Sequence, residues 1–299
     1  MGTDLQQRSA HARRLYGMAD EVTGLPIARL CAEGPLDRLT ETEVAQPAVM
    51  TTSLAALAVL REECPVDVAA VAGHSVGELA AYVAAGVLDA EAGLRLVQIR
   101  AQAMAAACAS ADGSMAAVMG LDEPALRAAC ASASQADGSV EVANLNAPGQ
   151  LVVSGGRDAL KRLSLSARAS GARRVLPLAV GGAFHSVYMR PAADAVRAAL
   201  VAAPMRRADV PVVVNASARA TQEPDELRHE LSVQIYSAVR WIDTLRRLAQ
   251  LGCDRFLEVG PGTVLAGMVR RTLPGARVAS FGAVSDLRHV CSLVADAAA

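Results

Sequence analysis

At 299 residues the chain can bury a large core, in one big domain or two small ones, and 29 Lys and Arg against 30 Asp and Glu leave a formal net charge of −1. That balance excludes the electrostatic footprint of a dedicated nucleic-acid binder. Six scattered cysteines without a C-x-x-C pair, a polar start with no signal peptide, and no uncharged apolar run of about twenty residues predict a soluble, cytoplasmic chain. It is expected to have no disulfide framework, no metal and no membrane or nucleic-acid partner.

Residues 4–24 and 48–63 read as helices, the second being AVMTTSLAALAVLREE. The apolar run VAAVAG (68–73) stops at a glycine, as a buried parallel strand does, and a helix follows from about Val76 to Ala85. Residues 89–110 form the next helix. The middle of the chain then alternates differently. GSMAAVMG (113–120) reads as a strand, DEPALRAACASAS as a helix, and SVEVANLNA and GQLVVSGG as strands. RDALKRLSLSARAS is a helix and RRVLPLAV a strand. The order β-α-β-β-α-β is the ferredoxin-like plan, spanning 113–183. Strand-to-helix alternation resumes with ADVPVVVNA and CDRFLEVGPG, which favours an open α/β sheet covered by helices on both faces. The expected fold is therefore α/β, with a parallel-sheet large subdomain (1–112 and 184–299) and a ferredoxin-like small one (113–183) inserted into it.

Gly73-His74-Ser75-Val76-Gly77 matches G-x-S-x-G with a strand before it and a helix after it. Small flanking residues let the backbone turn sharply, so the Ser75 hydroxyl projects above the sheet. The Val76 amide, at the helix N-terminus, can donate to an oxyanion. The competing reading is a serine that caps a helix. Of five histidines, His11, His229 and His289 lie among charged or helical neighbours, and His74 points away from the serine beside it. His185 follows a strand and two glycines and precedes a helix, so elimination makes it the general base. Arg100 falls on the apolar face of its helix, among Leu96, Val97, Ala103 and Met104. A guanidinium there is costly unless paired. Helix geometry favours a salt bridge to a structural acid or a snorkelling side chain over a fork held for a substrate carboxylate.

Together these residues resemble the malonyl-CoA:acyl-carrier-protein transacylase family, which includes the acyltransferase domains of polyketide synthases. The matching pieces are QPAVM (46–50), AGHSVGELAA, VQIRAQAM, NAPGQLVVSG (146–155), GAFHS, VQIYSAVRW (233–241) and EVGPGTVLAGM, in family order. The resemblance implies a hydrolase-like large subdomain. It also implies Ser75 as the acylated nucleophile, His185 as its base, and Arg100 as the clamp on the malonyl carboxylate. Gln234 matches the residue whose backbone carbonyl orients the histidine in place of a triad acid. Malonyl-CoA is then the substrate, with no bound cofactor, and the partners are a coenzyme A thioester and an acyl carrier protein. Exposed Arg270 and Arg271 would suit docking of an acidic carrier. Phe184, just before His185, resembles the malonyl-selective type, because a ring beside the acyl pocket disfavours an α-methyl branch by about 1–3 kcal/mol.

The family opens with a strand running into a Gly-Gln-Gly loop that supplies a second oxyanion amide. MGTDLQQRS aligns just downstream of that loop, and the PGQ at 148–150 belongs to the small subdomain. The expectation is that Met1 is an internal methionine with the start upstream, and that the chain as written lacks one strand and half the oxyanion hole. Loss of one such donor costs about 10²–10³ in turnover. Two alternatives stay open: a serine hydrolase or thioesterase, and a truncated, weakly active or inactive carrier-binding remnant.

Overall fold

A computed structural model describes residues 1–64 and 66–295. The chain opens with helices α1 (Thr3–Arg8), α2 (Ala10–Thr23), α3 (Ile27–Glu33) and α4 (Leu36–Leu39). The helix expected over 4–24 is broken at Ser9, whose extended backbone lets its side chain accept from the Ala12 amide and cap α2. Helix α5 (Thr42–Glu63) begins six residues earlier than its apolar run suggests and continues through Pro47. Burial of Val44, Ala48, Met50 and most of the following turns outweighs the lost amide bond. This helix is long and apolar enough to cross a bilayer, yet 67 % of its apolar window is buried inside the protein, as in a core helix.

Strand β1 (Val71–Ala72) leads through the serine bend to α6 (Gly77–Ala84), and α7 (Ala90–Ala109) follows, capped by Asp89. Next come β2 (Gly113–Met119), α8 (Glu123–Ala133), β3 (Val140–Ala147), β4 (Gln150–Gly156), α9 (Arg157–Ala169) and β5 (Arg174–Pro177). Their four strands form an antiparallel sheet in the order β3-β4-β2-β5. It carries its own core, in which Val118, Val142 and Val153 pack under Leu126 of α8 and Leu163 of α9.

The last third holds α10 (Arg190–Ala202), β6 (Val212–Val213), β7 (Ala220–Thr221), α11 (Pro224–Gln234), α12 (Trp241–Gln250), β8 (Arg255–Val259), α13 (Val264–Thr272), β9 (Arg277–Phe281) and α14 (Leu287–Ala295). Helices cover both sheet faces as expected. Ala70, Ala72, Phe256 and Val278 meet α12 and α13 on one side, while Leu257, Val259, Ala279 and Phe281 face the main core on the other.

The single parallel sheet expected here is corrected on two counts. Among the described residues it is two pieces, β1-β6-β7 and β8-β9, and β7 runs antiparallel to β6. Of the run 68–73, only Val71 and Ala72 find a partner, in Val212 and Val213. Alternation predicts an extended backbone, but a strand exists only where a second backbone lies within hydrogen-bonding reach. The antiparallel sheet is tied to the rest of the chain where Val239, in the segment between α11 and α12, donates to the Ala143 carbonyl and Leu145 donates to the Val239 carbonyl, each at 2.9 Å.

Candidate active site

The bend at Ser75 is built by a left-handed residue (φ 52°) between strand and helix, held only because its surroundings over-determine it. Gly73 has no alternative, since a Cβ there would overlap the carbonyl of Gly77. Asn215, fully buried just after β6, staples the bend. Its Oδ1 accepts from the Ser75 amide and its Nδ2 donates to the Gly73 carbonyl, both at 2.7 Å. The Val76 amide at the start of α6 has no acceptor among the described residues and is free to donate.

His185, also left-handed (φ 57°) and 3 % exposed, comes from the loop between β5 and α10. Its Nδ1–H donates to the Gln234 carbonyl at 3.0 Å, which leaves the Nε2 lone pair to accept the Ser75 hydroxyl at 2.7 Å. Burial first, and then the Arg100 charge, push this imidazole down to about 3, so it is a neutral base at ordinary pH. His11, His229 and His289 are exposed. His74 packs edge-on against Trp241 (centroids 5.4 Å apart) and shares a 2.8 Å hydrogen bond with Asn146.

Arg100 is 2 % exposed, and the salt bridge favoured by helix geometry is not there. Among the described residues its partners are neutral. Nη1 donates to Gln46 Oε1, while Nη2 donates to Gln234 Oε1 at 2.9 Å and to Ser75 Oγ at 3.2 Å. Nε is buried without an acceptor. Burial lowers the guanidinium to about 10, which keeps it charged at neutral pH.

Phe184 packs with Leu178 and Val180 against Met115, Ala143 and Val152 on the small sheet, beside His185. Arg270 and Arg271 lie away from this cluster on the surface. Arg270 donates to the Val278 carbonyl, and Arg271 to Gln150 and the Pro148 carbonyl. Sequence reasoning gave no role to Gln46, Glu78 or Asn215. Glu78 had a signal, being a lone acid in the apolar helix segment GELAAYVA. Gln46 opens the QPAVM piece but its role did not show, and Asn215 had no signal, because their partners are more than fifty residues away.

A strained serine, a neutral histidine oriented by a backbone carbonyl and a buried arginine with no carboxylate in hydrogen-bond reach thus come together between the two sheet systems. The chain belongs to the acyl transferase domain family, whose model matches residues 1–290. It is 38 % identical over 271 residues to a malonyl CoA-acyl carrier protein transacylase of Bacillus subtilis, covering 91 % of this chain and 85 % of that one. Among solved structures, it matches an acyl carrier protein S-malonyltransferase from Vibrio cholerae with a TM-score of 0.93 at 34 % identity, over 97 % of this chain and 94 % of the other. A type II PKS acyl-carrier protein in complex with its malonyl-transacylase matches with a TM-score of 0.93 at 33 % identity, over 98 % and 94 % of the two chains.

Proposed function

We propose that the chain moves a malonyl group from malonyl-CoA, through an acyl-enzyme on Ser75, to the phosphopantetheine thiol of an acyl carrier protein. The observation that carries this reading is Arg100: a buried cation with no carboxylate in hydrogen-bond reach, its Nη2 3.2 Å from Ser75 Oγ. Leaving such a charge uncompensated is expensive, and a substrate carboxylate offered to its fork supplies the missing counter-ion. His185 Nε2 takes the Ser75 proton as Oγ attacks the thioester carbonyl. The Val76 amide donates to the oxyanion, and the tetrahedral intermediate collapses with the proton passing to the departing coenzyme A thiolate. The carrier thiol then gives up its proton to His185 and attacks the malonyl-Ser75 ester, and as the C–Oγ bond breaks His185 returns that proton to Oγ, regenerating the serine and the neutral imidazole. The Gln234 carbonyl does the orienting work of a triad acid.

In this reading residues 113–183 form a ferredoxin-like subdomain on a hydrolase-like one, and the cleft between them takes the acyl group. Phe184 narrows that cleft against an α-methyl branch. The names of the relatives support the carrier protein as acceptor, and Arg270 and Arg271 are offered as part of its docking face. Intact-mass spectrometry tests the reading. Malonyl-CoA is expected to leave one malonyl adduct, absent in Ser75→Ala, that is stable until holo carrier protein is added. An adduct that hydrolyses equally fast without carrier protein indicates a thioesterase, and no adduct refutes the transferase.

A further inference from the structure

Glu78 is fully buried one turn after the serine, and its surroundings fix where its proton belongs. Oε2 accepts two N–H groups, from the Asn215 backbone at 3.1 Å and from Gln234 Nε2 at 3.0 Å. Oε1 lies 3.2 Å from the Tyr82 hydroxyl oxygen, which itself lies 2.8 Å from the Leu227 carbonyl. Tyr82 has one hydroxyl proton and cannot give it to both. The Leu227 carbonyl can only accept, and it is the nearer. An ionised Glu78 would therefore set Oε1 against the lone pairs of the Tyr82 oxygen with no proton between them. A proton on Oε1 completes the chain from Glu78 through Tyr82 to Leu227 and satisfies every polar atom.

The Gln234 amide stands between Glu78 and Arg100. Its Nε2 reaches Glu78 and the Ser75 carbonyl (2.8 Å), and its Oε1 accepts from Arg100. We infer that Glu78 is held as a neutral carboxylic acid and acts as a positioning residue: it locks the Gln234 amide and leaves the Arg100 charge for the carboxylate of the bound acyl group. This rests on the transfer reading above. Burial raises Glu78 to about 7 against the pull of the Gln234 and Asn215 N–H groups, with Glu230 of α11 pushing the same way as burial. The groups facing it are Tyr82 on its own helix, Arg100 on α7 and Glu230 on α11; His185 nearby is neutral. Above about pH 7 Glu78 ionises, competes for the field of Arg100 and weakens capture of the substrate carboxylate.

Two measurements test this. Isotope-edited infrared spectroscopy of protein labelled at glutamate should show, at about pH 6, a protonated-carboxyl band that Glu78→Gln abolishes. Tyr82→Phe, which removes the acceptor of that proton, should shift the band to higher frequency. In steady-state transfer, the KM for malonyl-CoA should rise several-fold between about pH 6 and 8.5 in the wild type and stay flat in Glu78→Gln, while kcat keeps one pH profile in both. Absence of the band, or a KM in Glu78→Gln that tracks the wild type, overturns the inference. If the wild type forms no malonyl adduct, it is the transferase reading that fails, and the infrared band still decides the state of Glu78.

Discussion

In the proposed transfer, Arg100 and His185 each act through a charge state set by burial. Replacing Arg100 with Ala removes the counter-ion for a carboxylated acyl group and opens the space it filled. We expect malonyl transfer to fall by about 10²-fold or more, with acetyl-CoA far less affected. Comparing kcat/KM for the two thioesters in both proteins reads this directly, and equal losses would disprove the clamp. For His185, the folded value of about 3 lies below its ordinary 6.5. Between those values the unfolded chain binds the extra proton, so this group's stabilising contribution is complete above about pH 6.5 and is lost as pH falls toward 3. Denaturant midpoints at a series of pH values should show a shallower acid loss in His185→Gln than in the wild type. The same depression predicts that kcat shows no acid limb at the usual histidine value.

At the scale of elements, the turn from β1 to α6 stores strain that its neighbours must hold. Asn215 bonds both sides of the bend, to the half-buried Ser75 amide and the buried Gly73 carbonyl, so Asn215→Ala leaves both backbone groups without their partner. The expected loss is about 2–4 kcal/mol of stability together with most of the Ser75 acylation. Thermal melts and adduct formation measured side by side check both halves. Gly93 tests the helix layer: a Cβ there would come within 2.7 Å of Met50 Cε on α5 and of Val83 Cγ2 on α6. Gly93→Ala should therefore lower the melting temperature, by the equivalent of about 1–3 kcal/mol, because the β-branched valine cannot move aside as the methionine can.

Across the whole molecule, the site is assembled at the seam between the two sheet systems. His74, next to Ser75, bonds Asn146 of the antiparallel sheet and meets the edge of Trp241 on α12. Trp241 is the chain's single tryptophan. Malonylation of Ser75 should change its emission on the time scale of adduct formation. Stopped-flow fluorescence should record that phase in the wild type, miss it in Ser75→Ala, and show a reduced amplitude in Asn146→Ala.

Local pattern carried much of this. The β-α-β-β-α-β run over 113–183, the helix after the serine and the helix bearing Arg100 were legible to within a few residues, because side-chain periodicity and capping residues such as Asp89 and Asp122 act within one turn. Ser75 stood out through its glycine-flanked bend, and His185 through its place at a strand end. The sequence by itself thus determined the element types and singled out Ser75 and His185, the pair to which the proposed transfer assigns the chemistry. Only the tertiary structure decided how they act. It broke the large sheet in two, since strand pairing requires a distant backbone in reach. It also set Gln46, Asn215 and Gln234 around Ser75 and Arg100 and left Arg100 with no carboxylate in hydrogen-bond reach, because desolvation and hydrogen bonding depend on neighbours far away along the chain.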